Sequence, residues 1–446
     1  MSGDAGPARA GAPVDTSTDH RWWTPVRRHY VLVMLCLVGL LNFADRQIIA
    51  ILLEPISRDL RLSDTMMGLL TGIAFSAVYV IAGIPIARLA DTGSRRRLLT
   101  ICLSLWTVTT MLCAFASSFW QLALVRVGVA AAQSGGAPAT QSMLADLYPA
   151  RQRSTVIGIW SAAQSLGIAI GLFAGGAVNA WLGWRAAFLI VGAPGLLLAV
   201  IFALTVREPL RGMSDTGLHR EGGAMPTTAQ ALRFVLRSSA LRTILFISMT
   251  CSIAGYSVLT WGPTFFVRVH GMTTAAVGLY MGIGLALGLI SGNLCSGYLA
   301  DRLAKGDFAT YMKFSGWATL LAVPTGLIFT RADSIPLSMT GLFAAAFFMT
   351  FWLPPTYAVA MGLTPPRMRG LISALIAYSG TLIGVGLGPL LVGALTDIFR
   401  PSHGDMAIRE ALTFALAGLG ASGLLCFLAV RPVRAAAQAL RVADGG

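Results

Sequence analysis

Apolar residues run through this chain in blocks, divided by short polar segments rich in Arg, Gly and Pro. Blocks near 29–53, 64–87, 98–118, 120–144, 154–180 and 185–206 form one set, and blocks near 241–267, 274–300, 309–329, 336–362, 370–397 and 408–430 form a second. About twenty apolar residues cross a bilayer as a helix. Lipid offers an open sheet edge no hydrogen-bond partner, so runs of this length with scattered Gly are read as helices. The pattern predicts an all-α membrane protein of twelve transmembrane helices in two six-helix halves.

The halves repeat each other. "ARLADTGSRRR" (87–97) follows the second block and "GYLADRLAKGD" (297–307) follows the eighth, which sets Asp91 and Asp301 in matching places. "YPARQRS" (148–154) and "TPPRMRG" (364–370) precede the fifth and eleventh blocks, and Gly-rich stretches, "SLGIAIG" (165–171) and "TLIGVGLG" (381–388), follow them. Like-oriented repeats of this kind are one layout used by secondary transporters. The expected organisation is a disordered cytoplasmic tail at 1–28, six-helix halves at 29–206 and 241–432, a cytoplasmic linker at 207–240 and a second tail at 433–446. Within the linker, "TAQALRFVLRS" (228–238) suits a short surface helix.

Composition agrees with the pattern. Of the 446 residues 55% are hydrophobic and 12% charged, against about 25% charged in soluble domains. The formal net charge of +14 is mostly Arg. With both termini placed in the cytoplasm, Arg95, Arg96, Arg97, Arg151, Arg153, Arg207, Arg211, Arg367 and Arg369 gather on that side, as the positive-inside rule requires. The excess charge therefore reflects topology, and no nucleic-acid partner is expected. If the source is bacterial, the membrane is the inner one. The six Cys fall inside the blocks and read as small buried apolar residues.

Against this background "LNFADRQIIA" (41–50) stands out, because Asp45 and Arg46 lie inside an apolar block. An ionised side chain at bilayer centre costs roughly 2.5–3.5 kcal/mol on insertion scales. Successive residues on a helix point about 100° apart, so the two cannot face the same way. Asn42 shares the face of Asp45, while Arg126 and Gln133 lie two turns apart on the fourth block. Asp45 and Arg126 are natural partners. They form either a structural ion pair or a switch, in which protonation of Asp45 frees an Arg to bind an anionic substrate. Asn42, Arg46, Arg126 and Gln133 are candidate substrate contacts in the first half, and Asn293, Tyr357 and Tyr378 in the second, with Tyr256, Trp261 and Trp352 beside them, and Pro354–Pro355 mark a bend.

Twelve blocks in two halves, with Ala90, Asp91, Gly93, Arg95 and Arg96 in the loop after the second, resemble the major facilitator superfamily. The second-half copy keeps Asp301 and Arg302. Residues 41–72, 83–91, 118–129 and 183–199 are similar to the spinster-like branch, which includes sphingolipid and lysophospholipid transporters. The resemblance implies alternating access, a cytoplasmic gate at Asp91, Arg95, Arg96, Asp301 and Arg302, and a proton-linked trio of Asp, Arg and Glu. Asp45 and Arg126 match that trio. The family's Glu is replaced by Gln133 in "AAAQSGGAP" (130–138), which leaves Asp45, Arg46 and Arg126 with one net positive charge and removes one proton carrier.

The function expected is secondary active transport, proton-coupled through Asp45, of an anionic amphipathic or organic-acid substrate, with a lysophospholipid-like molecule favoured. An uncoupled facilitator, or an efflux carrier for small organic anions or drugs, is the alternative. Protons, the substrate and the bilayer are the expected partners; the protein is expected to be a monomer and to need no cofactor or metal. An enzyme would require clustered His, Asp or Ser within the blocks, yet His20, His29, His219, His270 and His403 lie in tails, loops or block ends. No filter-like repeat suggests a channel.

Overall fold

The computed structural model describes residues 23–214 and 227–444. The first tail up to residue 22 and segment 215–226 of the linker lie outside the described residues. The described chain is helical throughout, with no strand. The helices are α1 (Pro25–Leu60), α2 (Asp64–Thr71), α3 (Ile73–Thr92), α4 (Arg95–Leu112), α5 (Phe119–Gln133), α6 (Gly136–Leu147), α7 (Ala150–Thr205) and α8 (Thr228–Arg237). They continue as α9 (Ser239–His270), α10 (Thr274–Ala304), α11 (Phe308–Arg331), α12 (Ile335–Met349), α13 (Leu353–Gly362), α14 (Arg369–Gly380), α15 (Gly386–His403) and α16 (Ala407–Asp444).

Among the described residues, nine stretches are long and apolar enough to cross a membrane. Two of them exceed a single crossing. Thr155–Thr205 has 51 residues and Arg369–Ala439 has 71, whereas one crossing takes about twenty. The first turns at Gly183, whose φ of 82° and ψ of 169° suit only a residue without Cβ. The second turns at the 3-10 segment Gly404–Met406. The pair α5 and α6 is not among the nine; it is broken at Ser134–Gly135, beside the polar Gln133. The sequence's twelve blocks thus map onto nine continuous stretches, two of them doubled back, and one interrupted pair.

Local chemistry explains the ends. Ser94, Ser118 and Thr24 accept backbone N–H groups at the starts of α4, α5 and α1, as N-cap residues do. The bend anticipated at Pro354–Pro355 falls between α12 and α13, where Thr350–Trp352 leave the helix and Pro354 opens the next one. Trp23 is buried. Residues 207–214 do not run free. Glu208 accepts from the Ser94 hydroxyl and from the Arg95 backbone N–H, Arg211 donates to the carbonyls of Ala90 and Gly93, and Gly212 donates to Asp146.

The long helix α1 packs along α7, and α10 packs on α7 in turn. The approach is tight because α7 presents glycine to α1: a Cβ on Gly167 would lie 2.2 Å from the Leu40 carbonyl oxygen, and one on Gly171 2.5 Å from that of Ala44. Small residues let helix backbones meet in lipid, where no hydrophobic force drives association. This contact holds the Asn42–Arg46 segment of α1 in place. Gly167→Val should push α1 from α7 and cost about 1–3 kcal/mol, the range for overpacking. A fall in thermal unfolding temperature of the detergent-solubilised protein checks this, and an unchanged temperature would refute it.

Candidate functional site

Asp45 and Arg46 diverge as the helical pitch demands. Asp45 is 3% exposed and accepts a 3.4 Å hydrogen bond from the Thr110 hydroxyl of α4. Arg46 turns the other way, toward the middle of the molecule. Its Nε donates to Oε1 of Gln133 at 3.1 Å, and its guanidinium sits 4.6 Å from the Tyr79 ring centre and 5.2 Å from those of Phe43 and Phe75. Gln133, fully buried, also donates to the Asn42 carbonyl at 3.4 Å, so one neutral amide ties α1 to the broken end of α5.

Arg126 is a buried charge left largely without hydrogen bonds among the described residues. It is 2% exposed, yet its Nε and Nη1 are buried without a hydrogen-bond partner among the described residues. The face of Phe75, 5.1 Å away, supplies a cation–π contact, which offsets only part of such a penalty. The charge of Asp45 lies within electrostatic reach, but no hydrogen bond or ion pair joins it to Arg126 among the described residues.

Two cavities meet at Arg46. One, of about 230 Å³, has a polar wall of Asn42, Thr140, Gln141, Gln164 and the Trp160 indole, whose Nε1 lacks a described partner. The other, of about 190 Å³, is lined by Arg126, Phe75 and Thr71 on one side and by apolar Ile49, Ala50, Ile168, Leu259 and Val385. Phe43, Arg46 and Tyr256 line both. The free hydrogen-bonding capacity of Arg126 and Trp160 is all donor, which suits an acceptor-rich anion.

The remaining sequence candidates fall elsewhere. Asn293 donates to the Leu289 carbonyl of its own helix, and Asn293, Tyr357 and Tyr378 line neither cavity. The second half contributes Tyr256, Leu259, Thr260, Thr381 and Val385 instead. Of the loop-motif residues, Arg95 is buried against Asp146, Glu208, Ser142 and the Pro209 carbonyl, and Arg96 donates to the Ala203 carbonyl. The side chain of Asp91 lies outside the described residues. Asp301 accepts from the Tyr311 hydroxyl at 2.6 Å, and Arg302 donates to Tyr298. Among the described side chains, these partners come from the same half or, for Arg95, also from the start of the linker.

The ion pairs that bridge the halves among the described residues lie at the opposite end, unforeseen from the sequence. Arg268, at the end of α9, donates to Glu54 at 2.6 Å and to both oxygens of Asp64 at 2.6 and 2.8 Å. Arg400 on α15 reaches the same Asp64 at 2.7 Å, while Asp397 accepts from the backbone N–H groups of Asp64 and Thr65 at the start of α2. Arg58 completes the set on Glu54. Glu54, Asp64 and Arg268 are almost fully buried. One signal was available: acidic residues at block ends do not serve topology. Nothing in the spacing joins residues more than 200 positions apart.

A helical membrane-spanning body, with charges facing cavities at its centre and, among the described residues, ion pairs between its halves at one end, is the architecture of a carrier. The chain belongs to the Major Facilitator Superfamily, whose model matches residues 35–377. It is 33% identical over 413 residues to an MFS-type efflux pump of Mycolicibacterium smegmatis, covering 92% of this chain and 94% of that protein. It is 24% identical over 394 residues to a D-galactonate transporter of Escherichia coli, covering 83% and 90%. Among solved structures, a bacterial homolog of the human lysosomal transporter Spinster, inward-facing and unoccupied, superimposes with a TM-score of 0.83 at 28% identity, over 93% of this chain and 99% of that one. The protein is a transporter, not an enzyme, and the spinster-like resemblance holds in three dimensions.

The end seal yields a prediction. Arg268→Gln leaves Glu54 and Asp64 buried with fewer counter-charges, and breaking such a pair costs about 3–5 kcal/mol. A cysteine reporter at exposed Asp59, beside the seal, should react faster with a membrane-impermeant thiol reagent in that variant than in the parent. Equal rates would show that the cluster does not hold this end shut.

Proposed function

We propose that the protein is a proton-coupled secondary transporter of an organic anion, working by alternating access, with Arg126 and Arg46 as the anion-binding groups and Asp45 as the proton-titrating group. The observation that carries this reading is Arg126, a buried cation in the wall of a cavity, with two guanidinium nitrogens that have no hydrogen-bond partner among the described residues. An isolated buried charge is costly. A carboxylate or phosphate that accepts from those nitrogens removes the cost, and charge-assisted hydrogen bonds are the strong ones.

Asp45 tempers the positive field of Arg126 while ionised. When it takes a proton, both arginines present their full charge to a substrate, so proton and anion enter together. Gln133 cannot titrate, which leaves Asp45 as the coupling group and Gln133 as the residue that holds Arg46 toward the cavity. The seal at Glu54, Asp64, Arg268 and Arg400 closes the outer side. The end bearing Arg95 then faces the cytoplasm, in accord with the positive-inside count and with similarity to an inward-facing homolog. Both termini lie on that side, and in a bacterial cell the membrane is the inner one. Asp91, Arg95, Arg96, Asp301 and Arg302 form the opposing gate once that end closes.

The substrate is an anionic amphiphile of the lysophospholipid class. The apolar wall beside Arg126 and the likeness to a Spinster homolog support this. A small hydroxy acid is the second reading. It is favoured by the amide and hydroxyl wall of the other cavity and by relatives named for galactonate and glucarate transport.

Uptake of lysophosphatidylglycerol and of D-galactonate into proteoliposomes, with and without an inward proton gradient, tests the reading. Gradient-stimulated uptake of either is expected, and the one transported decides the substrate class. Uptake indifferent to the gradient would make the protein a facilitator, and uptake of neither would remove both assignments. Arg126→Gln should raise the half-saturating concentration about tenfold or more, the loss expected for a charge-assisted hydrogen bond. Unchanged saturation would exclude Arg126 from the site.

A further inference from the structure

The linker helix α8 is the one described helix whose polar and apolar faces fit neither a crossing segment nor a free loop. It has ten residues and a closed capping box, in which the Thr227 hydroxyl accepts from the Gln230 N–H and the Gln230 side chain accepts from the Thr227 N–H. Ala231 and Val235 are buried where α8 packs on α9 and α14. One step round the helix, Leu232 and Leu236 stay 43% and 51% exposed, and one step further Arg233 and Arg237 are exposed with no described partner.

The next helix fixes the depth at which this apolar edge lies. Arg242 of α9 donates to the Leu236 carbonyl at 3.1 Å. Phe246 lies four residues on, hence on the same face of α9, and is 56% exposed on a membrane-crossing segment. Leu236 thus sits about one helical turn above lipid-facing apolar surface, which is the headgroup level. Leucines beside a pair of arginines at that level form the two-sided edge of an interfacial helix.

From this placement we infer that α8 docks on anionic phospholipid headgroups, with Leu232 and Leu236 dipping into the acyl boundary and Arg233, Arg237 and Arg242 pairing with phosphates. The occupant is a lipid surface because the exposed edge is continuous with the lipid-facing side of α9, and it is anionic because the charges on that edge are all positive. The docked helix fixes the start of α9, whose far end carries Arg268 of the seal.

Amide hydrogen exchange of residues 228–237 in the full-length protein tests the inference, in nanodiscs of phosphatidylcholine alone and mixed with phosphatidylglycerol. Phosphatidylglycerol should slow exchange there by about fivefold per engaged arginine, and Arg233→Gln with Arg237→Gln should abolish the slowing. Leu232→Ser with Leu236→Ser should weaken it. Exchange that is equal in both lipids, with Ala231 and Val235 alone protecting the helix, would overturn the docking. A phosphatidylglycerol effect that survives the double Arg change would overturn the assigned contacts. Both readouts are independent of whether any substrate is carried.

Discussion

A charge inside a bilayer must find a counter-charge or a hydrogen bond, and this protein meets that demand in two contrasting ways. At the sealed end, Arg268, Glu54 and Asp64 satisfy one another almost completely, with half-exposed Arg400 added on Asp64. At the centre, the Arg126 side chain is buried like that of Arg268 but holds nitrogens with no hydrogen-bond partner among the described residues. The first arrangement locks two sets of helices together. The second leaves an electrostatic need that a mobile anion is suited to fill.

The two arrangements stand on the same scaffold. Helix α1 carries Asn42, Asp45 and Arg46 at its middle and Glu54 near its end, so movement of this one helix reports to both places. Its packing on α7 is close enough to exclude a methyl group at Gly167 and Gly171, and interiors packed this way shift between discrete arrangements rather than deforming smoothly. In the proposed cycle, filling the centre and releasing the seal are coupled through α1. The loop-motif arginines Arg95 and Arg96, held by their own half and the start of the linker, are poised for the opposite end.

Much of this was legible in the chain. Apolar blocks and their internal repeat foretold an all-helical membrane protein, and the loop residues around Asp91 pointed to the superfamily. The 100° step from Asp45 to Arg46 separated their directions correctly, since pitch is a local property. Single polar residues of the second half were less informative: Asn293 is satisfied by its own helix, and Tyr256 rather than Tyr357 or Tyr378 reaches the cavities. Polar linker residues look alike whether solvated or paired, so the strap formed by Glu208, Arg211 and Gly212 gave no signal. The seal was hidden for another reason. Its members come from helices distant in sequence, and only the tertiary fold brings them together.

The most direct test of the proposed coupling is infrared difference spectroscopy of the reconstituted protein, recorded as the transported anion is added near neutral pH. A carboxyl C=O band that appears with the anion, and is absent in Asp45→Asn, is the expected result, because binding and protonation are then one event. An anion that binds without any such band, or a band unchanged in Asp45→Asn, would contradict proton coupling through Asp45.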